Sequence, residues 1–267
     1  MYHFTHIAAI AVTVVAVQSN AIAQLQNSYL TNDSGTIFYL DADTLVATEV
    51  AQLQGAGTIN DILYMGNGQL IANLTFGVAS YDFNTNIQAT LFSAQDVQSE
   101  PSGIPLVSGL ALQSDGNVYF TSMLHGPSGL HFAGATYNPG TQDIDLIEGS
   151  SINYLYFDHH EISPNRMLGA RGDQHEVDIF DPSTGVLEST YSLGIDVRSF
   201  VESNGDLYIL SDGGNLYTFD YTNGSTEFYG NITGHTGSLF GITIPAPSTL
   251  AALGFGVFTS TRRRRIC

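Results

Sequence analysis

The stretch Phe200-Val-Glu-Ser-Asn-Gly-Asp-Leu-Tyr-Ile-Leu-Ser-Asp-Gly-Gly-Asn-Leu-Tyr-Thr-Phe-Asp-Tyr-Thr-Asn-Gly224 decides the fold. It opens on an apolar pair, turns at Asn204-Gly-Asp206 and continues as the alternating strand Asp206-Leu-Tyr-Ile-Leu210. It turns again at Gly213-Gly214 and ends on a turn that contains Asp220. Alternating segments separated by Gly, Asn and Asp predict antiparallel hairpins, because these residues bond nearby amides or adopt positive φ. The unit therefore predicts one four-stranded blade.

The same order of elements recurs along the chain. With Leu63, Leu110, Leu155, Phe200 and Phe240 as equivalent positions, successive units are 47, 45, 45 and 40 residues apart. Each unit has a second turn built on Asp or Asn, and these turns lie at residues 40–44, 81–85, 137–141, 180–185 and 219–224. Periods of this size in strand-like sequence are typical of propeller blades. The sequence predicts an all-β fold, a β-propeller of about five blades.

The two ends of the repeat region complement each other. Residues 29–50 carry the later strands of a blade without an opening strand, whereas residues 238–244 look like an opening strand with nothing after it. We therefore expect Leu239-Phe-Gly-Ile-Thr243 to complete the N-terminal blade and close the ring. Closure removes sheet edges that would otherwise promote aggregation. Between the two chain ends no sustained helical periodicity occurs, so a helix-rich catalytic domain is not expected.

The N-terminus has the pattern of an export signal. Residues 7–17 form a compact apolar run, and Ala21-Ile-Ala23 is a small-x-small cleavage site that would leave Gln24 first. No Lys or Arg precedes the apolar run. We predict a signal peptide at residues 1–23 and a mature propeller-like domain at residues 24–244.

Residues 245–267 combine three features in a fixed order. Pro245, Ala246 and Pro247 come first, residues 249–258 form an apolar run, and Arg262, Arg263, Arg264 and Arg265 follow. As a helix, residues 248–261 would span only about 21 Å, whereas a stable membrane crossing needs about 30 Å. The arginines favour the cytoplasmic face, so the domain before them is expected outside. These features predict a transient membrane association.

This order resembles the PEP-CTERM sorting signal of exported bacterial proteins, which a membrane protease called exosortase recognises. Ala246 stands where that motif has an acidic residue. The resemblance implies processing by an exosortase-like protease and delivery to the cell surface or extracellular matrix. The alternative is a weak C-terminal anchor that is not processed. In the body, the turn Asp181-Pro-Ser-Thr-Gly185 and the order of units resemble the broad group of exported propeller-repeat proteins.

The mature domain is strongly acidic. All 25 Asp and Glu residues lie in it, against only Arg166, Arg171 and Arg198, which gives a net charge of −22. Such a surface repels nucleic acid and anionic lipid, so neither is an expected partner. The single cysteine is Cys267, so no intrachain disulfide forms.

The densest candidate site is Asp158-His159-His160-Glu161, with His175-Glu176 further along. Imidazole and carboxylate together suit Zn²⁺ or another divalent metal. Neighbouring residues of a strand point to opposite faces, so only one of the two adjacent histidines is expected in any one site. Our candidates for ligand binding are Asp158, His159, Glu161, His175 and Glu202.

Carboxylates suggest two further sites. Asp61, Asp158, Glu161 and Glu202 lie near the opening strands, where inward acids from separate blades could act as the paired carboxyls of a glycoside hydrolase. Asp41 and Asp43 form an acidic pair of the kind that binds Ca²⁺, and similar acids occur at Asp143, Asp145 and Asp212. No EF-hand pattern or phosphate-binding glycine loop is present.

The sequence as a whole predicts an exported, non-catalytic binding or structural protein, with extracellular polysaccharide as the candidate ligand. No catalytic residue is assigned, and Ca²⁺ is the one candidate cofactor. Two alternatives stay open: a secreted glycan-active hydrolase that uses the channel carboxylates, and a purely structural matrix component.

Overall fold

A computed structural model describes residues 25–54, 58–97, 106–126, 129–147, 150, 152, 154–172 and 174–245. The predicted signal peptide lies outside these residues, as does the predicted sorting signal apart from Pro245. The helical elements within the described part are two short 3-10 turns, Ala94–Val97 and Asp212–Gly214. No helix in this part is long and apolar enough to cross a membrane.

The described residues form twenty strands in five antiparallel sheets of four, and each sheet is one blade whose strands are named from the inner to the outer one. Blade 1 contains β20 (Leu239–Thr243), β1 (Ser28–Asn32), β2 (Thr36–Asp41) and β3 (Val46–Gln52). Blade 2 contains β4 (Ile59–Gly66), β5 (Gln69–Leu74), β6 (Gly77–Asp82) and β7 (Ile87–Ser93). Blade 3 contains β8 (Leu106–Leu112), β9 (Val118–Gly126), β10 (Gly129–Tyr137) and β11 (Ile144–Leu146). Blade 4 contains β12 (His159–Ser163), β13 (Arg166–Ala170), β14 (Glu176–Phe180) and β15 (Leu187–Ser192). Blade 5 contains β16 (Val197–Ser203), β17 (Asp206–Ser211), β18 (Asn215–Asp220) and β19 (Ser225–Asn231).

The five inner strands form a closed ring. β4 contacts β8, β8 contacts β12, β12 contacts β16, β16 contacts β20, and β20 returns to β4. Each blade is a sheet of four strands in simple sequence order, apart from the exchange of β20 into blade 1. The predicted all-β, five-bladed propeller is therefore confirmed.

Blade 1 joins the two ends of the domain, as the sequence predicted. β20 pairs with β1 through Tyr29 opposite Thr243 and Leu30 opposite Ile242. The segment before β20 also contacts the outer strand of blade 1: the amide of Ala47, on β3, donates to the Thr233 carbonyl at 2.7 Å. The C-terminal part of the chain thus supplies the inner strand of blade 1, which pairs the otherwise free edge of β1, and it also contacts the outer strand at residues 45–47.

The repeated Asp or Asn turns connect the third and fourth strands of the blades. In blade 1, the Asp41 carboxylate accepts the amides of Asp43 and Thr44, each at 3.0 Å. In blade 3, Asn138 does the same for Gly140 and Thr141. Because the side chain supplies hydrogen bonds that the turning backbone lacks, this chemistry fixes the hairpin and explains why it recurs once per blade.

The predicted alignment of the fourth unit was wrong. Its inner strand begins at His159, not at Leu155, because residues 155–157 form a connection before the strand, in which Tyr156 packs between blades 3 and 4 and Phe157 packs between blades 4 and 5. Tyr156 is buried there, and its hydroxyl donates to Asp178 at 2.7 Å. The apolar run therefore fills an interface between blades instead of opening a blade.

The hydrophobic core is divided among the interfaces between blades. Each of five buried clusters joins two neighbouring blades; the largest brings Phe38 and Leu40 of blade 1 against Tyr208 and Leu216 of blade 5. Burial of these faces is the main term that holds the blades together. The ring of packed blades leaves the inner strands around a central channel.

Candidate functional site at the mouth of the central channel

A cavity of about 320 Å³ lies inside the ring and is lined by one short segment from each inner strand. These segments are residues 62–64 of β4, 110–112 of β8, 158–161 at β12, 200–202 of β16 and 242–244 at β20. The residues at the C-terminal ends of these segments, including Tyr64, Glu161 and Glu202, form what we call the channel mouth. The residues at the start of each segment form the channel floor.

Two buried carboxyl groups organise the channel floor. Asp61, 1% exposed, accepts the amides of Ile62 and Leu110, each at 2.7 Å. Asp158, 2% exposed, accepts the amides of His159 and Phe200, each at 2.5 Å.

A serine completes this arrangement. The Ser199 hydroxyl donates to Asp158 at 2.6 Å and accepts the Ile242 amide at 3.1 Å. The five backbone amides bound at the floor come one from each inner strand: Ile62, Leu110, His159, Phe200 and Ile242. The side chains of Asp61, Asp158 and Ser199 thus hold all five inner strands in register.

Asp61 and Asp158 also bond to each other, and this contact fixes their protonation. Burial and the negative charge of Asp158 raise the pKa of Asp61 well above its usual value. Burial raises the pKa of Asp158 too, but hydrogen bonds from Ser199 and from the Phe200 and His159 amides oppose that rise. Because burial disfavours two negative charges side by side, the two carboxyl groups share one proton in the hydrogen bond between them.

His159 and His160 point to opposite sides of β12, as the sequence predicted. His159 is 3% exposed, lies among the rings of Tyr119 and Tyr156, and bonds through Nε2 to the Thr121 hydroxyl at 2.7 Å. Burial lowers the pKa of His159 to about 3, so its imidazole is neutral and belongs to the interface between blades 3 and 4.

His160 faces blade 5 at the channel mouth. Its Nε2 lies 3.4 Å from Glu202 Oε2, and this contact lowers the pKa of Glu202 and keeps that carboxylate ionised. Glu161 accepts the Ser114 amide of blade 3 at 2.6 Å. The mouth is thus lined by polar groups that are open to solvent: the side chain of Glu202 is 55% exposed and that of His160 is 21% exposed.

The wall of the mouth opposite these groups includes Tyr64, the first ring of an aromatic stack. Tyr64 lines the cavity and stacks on Tyr29 with ring centres 5.4 Å apart, and Tyr29 stacks in turn on Phe83 at 4.7 Å. The Tyr64 hydroxyl accepts the Gly68 amide at 2.9 Å, which holds the ring in place. Sequence reasoning missed this wall, because the three rings come from two different blades and no spacing pattern connects them.

The structure separates His175 from the other binding candidates. It brings Asp158, His159, Glu161 and Glu202 to the channel, whereas His175 lies in the turn between β13 and β14, at the opposite end of blade 4 from Ser163. His175 donates its amide to the Gly172 carbonyl at 2.9 Å. Among the described residues, no three His, Cys, Asp or Glu side chains are grouped so that they could hold a metal ion.

The acidic pair Asp41 and Asp43 lies in the hairpin turn of blade 1, away from the channel. One Asp41 oxygen already accepts two backbone amides there. The Ca²⁺ site expected at this pair stays a prediction.

Comparisons with known proteins address the fold. No family model matches the chain, and no curated protein matches it in sequence. A Bacteroides caccae protein of unknown function has a similar structure, with a TM-score of 0.51, 14% identity, and coverage of 77% of this chain and 73% of that one. A chain of a nidogen/laminin complex gives a TM-score of 0.48 at 10% identity, covering 82% and 98%. Myxococcus xanthus glutaminyl cyclase gives 0.45 at 10% identity, covering 85% and 78%. At these identities the likeness concerns the fold alone.

Proposed function

We propose that this protein is an exported, non-catalytic polysaccharide-binding protein whose ligand binds at the channel mouth. The observation that carries this proposal is that the acids at the channel floor are buried and hydrogen-bonded, whereas those at the mouth are open to solvent. Asp61 and Asp158 are buried and bound to inner-strand amides, whereas His160, Glu161 and Glu202 line an open cavity. Solvated polar groups beside an aromatic wall are suited to binding a polar ligand with apolar ring faces.

The same geometry does not support glycoside hydrolysis. A glycosidase needs two carboxyl groups that flank the scissile bond, one of them with a raised pKa to serve as general acid. The acids with raised pKa are Asp61 and Asp158, which are buried at the floor and held by the inner strands. At the mouth, contact with His160 lowers the pKa of Glu202, which is opposite to what a general acid requires.

The export part of the proposal comes from the chain ends. We assign residues 1–23 to a signal peptide and residues 245–267 to a sorting signal that an exosortase-like protease processes, which places the mature domain at the cell surface or in the matrix. β20 ends at Thr243 and Ile244 lines the mouth, so Pro245, where the proposed sorting signal would begin, follows directly after a residue of the channel mouth. A retained tail would hold this end of the propeller near the membrane, and processing would free it.

The test is retention of the purified protein on a panel of immobilised neutral, anionic and cationic polysaccharides. We expect retention on at least one polymer, and weaker retention after Glu202→Gln. The matched control is Glu49→Gln, an exposed acid on the outer strand of blade 1. Repeating the assay with EDTA shows whether a metal takes part. Absence of retention on every polymer, or equal loss in both variants, would contradict binding at the mouth.

A further inference from the structure

The channel mouth continues into a cleft over blade 5. A second cavity, of about 470 Å³, shares His160, Glu161 and Glu202 with the mouth and extends to Asp206, Asp220 and Tyr221. A third, of about 550 Å³, shares Asp206 and Asp220 with the second and reaches Glu227 on the outer strand β19. The three cavities overlap in their lining residues from the centre of the ring to the outer strand of blade 5, and we call them together the blade 5 cleft. An elongated cleft of this kind fits a linear polymer better than a compact small molecule.

The blade 5 cleft has a single sign of charge. Besides the buried Asp158 of the floor, its carboxylates are Glu161, Glu202, Asp206, Asp220 and Glu227, and within the described part of the chain no Lys or Arg lines any of the three cavities. The pKa values of Glu202 and Asp220 are lowered by hydrogen bonds from His160 and Thr222 respectively, so both stay ionised near neutral pH. Such a path attracts cationic groups and repels uronic acids.

The aromatic wall distinguishes a sugar from other cations. Tyr64 lines the cavity and is supported from behind by Tyr29, so its ring is preorganised. The half-buried ring of Tyr221 borders the cleft on blade 5. Sugar rings have apolar C–H faces that pack on aromatic rings, whereas the flexible methylene chains of a basic peptide have no matching flat face.

We propose that the channel mouth and blade 5 cleft bind a linear amino-sugar glycan, a polymer of hexosamine units with free amines. This inference rests on the proposed function and adds the ligand class. The ammonium groups pair with the cleft carboxylates, and a sugar ring packs on Tyr64. The bonds are non-covalent, and no chemical step is involved.

The experiment titrates the full-length protein, kept soluble in mild detergent, with four probes by calorimetry. The probes are a glucosamine hexamer, an N-acetylglucosamine hexamer, a hexamer of uronic acid and hexalysine. We expect the glucosamine hexamer to bind about tenfold or more tightly than the N-acetyl form, because exposed charge pairs add modestly but cumulatively. Raising the salt concentration should weaken that binding, since the carboxylates are solvent-exposed and screened.

Variants separate the two recognition elements. Glu202→Gln combined with Asp206→Asn should weaken both glucosamine and lysine binding, by about tenfold. Tyr64→Ala should weaken glucosamine binding and leave lysine binding unchanged, while Glu49→Gln should change neither. Circular dichroism of each variant checks that the propeller is intact.

The outcomes distinguish this inference from the proposed function. Tighter binding of the uronic acid or N-acetyl hexamer would overturn the amino-sugar assignment and leave polysaccharide binding standing. Hexalysine that binds as tightly as the glucosamine hexamer, or a Tyr64→Ala variant that retains full glucosamine binding, would overturn recognition of the sugar ring. Absence of binding to every glycan would overturn both proposals.

Discussion

Replacement of Asp158 by alanine should destabilise the propeller severely. The Asp158 carboxylate accepts three hydrogen bonds at the buried floor, from the His159 amide, the Phe200 amide and the Ser199 hydroxyl, and it also shares a hydrogen-bonded proton with Asp61. A buried donor that loses its acceptor costs about 1–3 kcal/mol. Some relaxation or water entry would satisfy part of the deficit, so we expect a loss of roughly 3–6 kcal/mol. This is a large fraction of the 5–15 kcal/mol typical of folded domains, as an order of magnitude.

The assay is urea unfolding followed by far-ultraviolet circular dichroism, which suits a chain without tryptophan. The midpoint should fall sharply for Asp158→Ala, and less for Asp158→Asn, which keeps the volume but turns one acceptor into a donor. Glu161→Ala is the matched control. Glu161 lies on β12, which Asp158 directly precedes, but its carboxylate is partly exposed and accepts from Ser114 alone, so the loss should stay within about 1 kcal/mol. If Asp158→Ala is as stable as Glu161→Ala, with an unchanged slope, the floor does not depend on this carboxylate.

Three further predictions concern the same ring. The pKa of Asp61 is raised in the folded state, so the folded protein keeps a proton that the unfolded chain releases above about pH 4. The contribution of this group to the free energy of unfolding is therefore lost as the pH rises toward the folded pKa, by up to about 1.4 kcal/mol per pH unit. Asp61→Asn should remove this slope in urea unfolding between about pH 5 and 8, whereas parallel curves for variant and wild type would refute the shared proton. Gly109→Ala should cost about 2–4 kcal/mol, because Gly109 has φ +65° and an added Cβ would lie 2.4 Å from the His159 ring. Gly116→Ala, with φ +87° and open space around it, should cost only about 1–2 kcal/mol in the same urea unfolding assay, and equal losses would contradict the contact with His159. Removal of the chain from Leu239 onward should abolish cooperative unfolding or cause oligomers in size-exclusion chromatography, because β1 loses its inner partner. A chain that ends at Pro245 keeps β20 and should stay monomeric and unfold cooperatively. Similar behaviour of the two truncated chains would argue against closure by β20.

The blade architecture could be predicted because residues close together in the sequence determine each turn and each strand. Turns built on Asp or Asn recur once per blade, and alternating residues mark the strands, so the number of units and the exchange of β20 could be inferred from spacing. The position of β12 could not, because an apolar run such as residues 155–157 has the same composition whether it opens a blade or fills an interface.

The candidate site was only partly predictable, for a related reason. Asp61, Asp158, Glu161 and Glu202 were identified together; Asp158, Glu161 and Glu202 line the channel cavity, and Asp61 is buried at its floor. Their different roles depend on which backbone amides converge in space, and the sequence alone does not show this. The stack of Tyr64 on Tyr29 joins strands of two blades, so it has no signature in the sequence.

The central claim is that the channel mouth binds a glycan without cleaving it. The most direct test incubates the wild-type protein for an extended period with each polysaccharide that retains it and measures the release of reducing ends. Our account predicts sustained retention with no reducing ends above the protein-free background. Release of reducing ends by the wild type, abolished by Glu161→Gln or Glu202→Gln, would contradict it and show that the mouth carboxylates act as catalysts.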